Sequence, residues 1–142
     1  MNRKKALTII LLLLLTATTF AFAASDKVHQ LSMMAAKEHP KAGGTLTLSA
    51  DAISITAEGL KPDSVYTVWF VNMKPKMSQA GAGEMPYMFK TDSQGKGEYK
   101  SALANPPFGK WQMVMVMLHP DGKPENMKNM VKALSATVPT SN

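Results

Sequence analysis

From Gly44 to Val138 every hydrophobic run is short, and each one ends at a Gly, Pro or Asp turn. A chain punctuated this way has no room for long helices, so strands become its regular element. Thr45-Leu46-Thr47-Leu48-Ser49 alternates polar and apolar, and Ala52 to Ala57 alternates again after a turn at Ala50-Asp51. That pattern predicts a hairpin with one buried face. Val65 to Val71 is apolar on both faces and reads as a central strand. Tyr87–Lys90 and Gly97–Leu103 flank a turn at Asp92–Gly95, Trp111–His119 is a second strongly apolar strand, and Lys132–Val138 closes the set. Residues 74–86 read as a long loop, and 125–130 as a single helical turn. About seven short strands predict an all-β antiparallel β-sandwich with immunoglobulin-like, Greek-key connections. A closed barrel is the alternative.

Residues 44–139 thus form the expected sandwich domain, and 24–43 an arm preceding it. Val28, Leu31, Met34 and Ala35 recur at helical spacing before Pro40 and Gly43-Gly44. The arm is expected to be a short helical or extended segment packed on the domain.

Ahead of the arm stand Arg3, Lys4 and Lys5, then an apolar stretch from Leu7 to Leu15, then the small-x-small triplet Ala21-Phe22-Ala23. This order predicts a cleavable secretory signal peptide over residues 1–23 and a periplasmic or secreted product, with no membrane attachment after cleavage. Threonines at 16, 18 and 19 dilute the apolar stretch and argue against an uncleaved anchor. The chain has no Cys, which excludes disulfides, thiol catalysis, thiolate metal sites and a lipidated N-terminal Cys. The signal also removes three of the sixteen basic residues, leaving 13 Lys, no Arg and 10 acids, a net of about +3. Scattered lysines without a single Arg lack the bidentate reader of phosphates and bases, so no nucleic acid partner is expected.

The run Gly59-Leu60-Lys61-Pro62-Asp63-Ser64-Val65-Tyr66-Thr67-Val68-Trp69-Phe70-Val71, followed by Phe89-Lys90-Thr91-Asp92-Ser93-Gln94-Gly95-Lys96-Gly97, resembles the extracytoplasmic domain of anti-sigma-K-type factors and related small exported β-sandwiches. The likeness covers about residues 44–103 and implies a sandwich fold. It implies no catalytic residues. Those factors place a sigma-binding segment and a membrane helix before the sandwich. A signal peptide is expected in that position here, so the resemblance does not carry the regulatory function with it.

Methionine is the unusual residue. Eleven of the twelve lie in the mature domain, in groups at 33–34, 73 and 77, 85 and 88, 113–117, and 127 and 130. On a strand, Trp111, Met113, Met115, Met117 and His119 share one face. Thioether and imidazole donors suit Cu(I), and an indole face adds a cation–π contact. Met113, Met115, Met117 and His119 are therefore the candidate metal ligands, with His29, Met33, Met34 and His39 as a second cluster. The competing explanation is core filling, since Met packs adaptably and the mature domain has only three Phe.

No G-x-S-x-G elbow, H-E-x-x-H pair or phosphate loop is present, and Asp92 and Asp121 sit in turns that favour Asp for backbone reasons. The sequence thus points to an exported non-enzymatic binding or interaction module, with an envelope protein or a small ligand as partner. The alternative is a periplasmic Cu(I)-binding protein. No cofactor other than copper is suggested.

Overall fold

The computed structural model describes residues 27–142. The signal peptide lies outside the described residues. Nine antiparallel strands follow one another: β1 (His29–Ala35), β2 (Gly43–Leu48), β3 (Ala52–Glu58), β4 (Val65–Asn72), β5 (Ser78–Gly81), β6 (Met88–Lys90), β7 (Gly97–Ala102), β8 (Met113–His119) and β9 (Val131–Thr137). Among the described residues no helix forms, so the helical turn expected at 125–130 is replaced by irregular turns. The all-β class expected from the sequence is the one observed.

The order across the sheet is β5-β4-β8-β9-β1-β2-β3-β7, with β6 also paired to β4. β1 explains how two layers become one curled, half-barrel sheet. Its residues His29–Met33 pair with β2, whereas Met34 and Ala35 pair with β9. The extended form of the arm therefore holds, and the helical one does not. Helical spacing predicts burial of Leu31, Met34 and Ala35 together. The structure half-buries Leu31 and buries Met33 while Gln30, Ser32 and Met34 are exposed, which is the alternation of a strand; Ala35 is exposed as well. A short isolated helix has little stability of its own, so pairing with β2 and β9 decides the matter.

Leu46 and Leu48 of β2, Ile53 and Ile55 of β3, Tyr66 and Val68 of β4, and Val114 and Val116 of β8 fill the space between the layers. On the side opposite β1, the short strand β6 brings Phe89 over Gly97 of β7. A Cβ on Gly97 would sit 2.5 Å from the Phe89 ring, so only glycine lets the two layers close here. β5 lies in the stretch read as a loop. Its Ser-Gln-Ala-Gly sequence has no apolar alternation, and it is held by backbone pairing to β4 alone.

Candidate functional site

β4 and β8 pair along their whole length, with Thr67 opposite Met117, Trp69 opposite Met115 and Val71 opposite Met113. Directly opposed residues share a face. Because Tyr66, Val68 and Phe70 point into the core, these six residues form the outer face of the layer. That face is only half open. Met113, Met115, Met117 and Trp69 are partly buried, and Thr67 is wholly buried.

Two loops cover it. The segment between β4 and β5 contributes Met77, and the segment between β8 and β9 contributes Met127 and Met130. With Met115, Met117 and Trp69 they line one concavity of about 230 Å³, with Gln79 and Asn129 also on its wall. Five methionines from three separate segments, and one indole from a fourth, thus line the same concavity. No carboxylate or imidazole lines the concavity. Among the described residues no group of three or more His, Asp or Glu stands where it could hold a hard metal ion. Core filling does not explain all of this set, because Met77 is 65% exposed and Met127 39% exposed.

The indole is fixed on two sides. Tyr87 lies 5.7 Å from Trp69 between ring centroids, and it can approach because the neighbouring strand residue is Gly81. A Cβ on Gly81 would meet the Tyr87 ring at 2.3 Å. Trp69 Nε1–H donates to Thr67 Oγ1 at 2.7 Å. Thr67 Oγ1 in turn lies 2.6 Å from His119 Nε2, and His119 Nδ1 lies 3.1 Å from the Asn126 carbonyl. The carbonyl can only accept, so Nδ1 donates to it, and in that tautomer Nε2 accepts from the Thr67 hydroxyl. Asn126 is further held by its side-chain amide, which donates to Asp121 Oδ2 at 2.6 Å. The chain Trp69–Thr67–His119–Asn126 ties the indole to the loop that carries Met127 and Met130. Backbone bonding from Lys123, then the Asn126 amide, holds the Asp121 carboxyl below the usual carboxylate range.

Of the expected ligands, Met115 and Met117 line the concavity. Met113 stands on the same face beyond its end. His119 is buried with both ring nitrogens engaged, so neither is free for a metal. It positions the loop instead. Trp111 does not share the methionine face. It stacks at 6.0 Å on Phe70, a core residue, because residues 110–112 turn before β8 begins. The second cluster does not converge. Met33 is in the core and Met34 is on the opposite side of β1. His29 rests on Phe108 at 5.1 Å, and His39 bonds the Tyr66 hydroxyl at 3.1 Å. Sequence reasoning missed the loop residues Met77, Met127 and Met130, and on the strand it missed Trp69. The signal was present in the phase of β4, where Thr67, Trp69 and Val71 alternate with the core residues.

A larger concavity of about 920 Å³ lies on the outer face of β2, β3 and β7. Its wall carries Glu58, Lys90, Asp92, Lys96 and Glu98, an exposed surface of mixed charge with no convergent donor set.

Fold and site together define an all-β domain with a methionine-lined concavity on the outside of one layer. Comparison with known proteins adds nothing closer, since no family model, no curated protein and no solved structure matches the chain.

Proposed function

We infer that this protein is an exported, non-enzymatic binding module whose ligand is Cu(I), held by the thioethers of the outer-face pocket. The export part rests on the leader pattern of residues 1–23 alone. The likeness to anti-sigma-K-type domains enters as a likeness of fold and brings no ligand with it.

One observation carries the copper reading: thioethers from three segments meet at one small concavity, and two of them are solvent-exposed. Methionine recruited for volume is buried, and these two are not. Thioethers alone select soft ions and offer little to Zn²⁺, Ca²⁺ or Mg²⁺, which need nitrogen or oxygen donors. The Trp69 face adds attraction for a cation at a site without carboxylates.

The test is competition for Cu(I) between the purified mature domain and a chromophoric chelator under reducing conditions. Sub-micromolar affinity is expected, with Trp69 fluorescence changing as the site fills. Met115→Leu and Met117→Leu keep side-chain volume and remove sulfur. Each is expected to weaken binding by about tenfold or more, ~1.4 kcal/mol at least. No competition with the chelator, or unchanged affinity in the Met115→Leu/Met117→Leu double variant, would overturn the reading.

A further inference from the structure

The five thioethers of the pocket differ sharply in how far solvent reaches them. Met115 and Met117 lie on the strand beneath the loops and are partly buried, as is Met130. Met127 is exposed at 39%, and Met77 is the most open at 65%. Met77 also follows Lys74 and Lys76, both exposed, which place positive charge along its approach.

We propose that Met77 is a modification site, the first pocket thioether to be converted to the sulfoxide, and that this conversion turns off soft-metal binding. The inference rests on the Cu(I) reading above. Its chemistry follows from two-electron oxidation by a hypohalous acid. The sulfur lone pair attacks the halogen, and water then displaces halide from sulfur. In sum, the thioether and HOCl give the sulfoxide, chloride and a proton. Sulfur loses two electrons and chlorine gains two. Access governs which methionines react, so the exposure gradient sets the order within the pocket.

The product has different ligand chemistry. A sulfoxide offers a polar oxygen where the site had a soft sulfur, and it must be solvated at the edge of an apolar concavity. Methionine sulfoxide reductases return the thioether, so the change is reversible. The more exposed Met34 and Met85, at 73% and 81%, lie outside the pocket. They react as well and serve as internal references that carry no binding function.

The experiment treats metal-free mature protein with graded HOCl and maps sulfoxides by peptide mass spectrometry, with Cu(I) affinity measured on the same samples. Sulfoxide is expected at Met77 before Met115, Met117 and Met130. Affinity should fall at least tenfold in step with Met77 oxidation and return after sulfoxide reductase treatment. In Met77→Leu, which keeps the remaining thioethers, residual affinity should be insensitive to doses that oxidise Met34 and Met85 while Met127 remains a thioether. Equal oxidation rates at Met77 and Met115 would overturn the proposal. So would Met77 sulfoxide in a protein whose affinity is unchanged. Both outcomes leave the Cu(I) reading standing. A protein that never competes for Cu(I) overturns that reading and the switch with it.

Discussion

Thr67→Val tests the buried polar chain behind the pocket. The substitution keeps the shape of the side chain and removes one hydroxyl. Thr67 is fully buried; its hydroxyl oxygen accepts from Trp69 and its O–H donates to His119. His119 is 2% exposed, so its Nε2 would be left without a partner and without access to water. An unsatisfied buried polar group costs about 1–3 kcal/mol. Trp69 is only partly buried, so its N–H recovers part of its loss through water. The expected destabilisation is about 2–4 kcal/mol, combining the two on the same scale. Thr67→Ser keeps the hydroxyl and loses one methyl group, about 1 kcal/mol. Urea unfolding checks this, with the midpoint moving and the m-value constant. A Thr67→Val protein within about 0.5 kcal/mol of wild type, or one no less stable than Thr67→Ser, would refute the hydrogen-bonded chain.

Met115→Leu and Met117→Leu should unfold within about 1.5 kcal/mol of wild type, since volume is kept at half-buried positions. Their loss of copper would then be chemical rather than structural, as denaturation curves can show. Burial lowers the His39 pKa from the ordinary 6.5, against a loose approach of the Lys132 backbone and the Glu38 carboxylate. The native state therefore resists protonation, and the unfolded chain takes up more protons as pH falls below 6.5. Its contribution is complete above that pH and is lost progressively on acidification to the lowered folded value. His39→Gln should flatten this part of the stability-against-pH curve, and an unchanged slope would count against it. Gly97→Ala forces a contact on Phe89 and should cost about 1–3 kcal/mol, read by thermal or urea unfolding.

Seven of the nine strands were legible, because one buried face imposes alternation on β2 and β3, burial on both sides makes β4 and β8 continuous apolar runs, and turn residues bound the rest. β1 was obscured by a coincidence of spacing, in which Val28, Leu31, Met34 and Ala35 mimic a helix face. β5 was hidden because an edge strand held by its backbone needs no hydrophobic signature. At the site, the shared face of Met115 and Met117 followed from the strand period. The loops that complete the pocket did not follow, because the approach of Met77 and Met127 to Trp69 depends on β4 pairing with β8. Trp111 shows the limit of the period. The pattern extends two residues past the point where the strand actually starts.

The place of β1 between β9 and β2 has a consequence for how the chain reaches its final form. Met34 meets Ser135, so the first strand cannot find both neighbours until nearly the whole polypeptide is available. Contacts between distant parts of a sequence form slowly, because the intervening chain must first be brought round. The junction thus joins the first and the last strand of the described residues. Removing β1 would expose unpaired backbone on both β2 and β9.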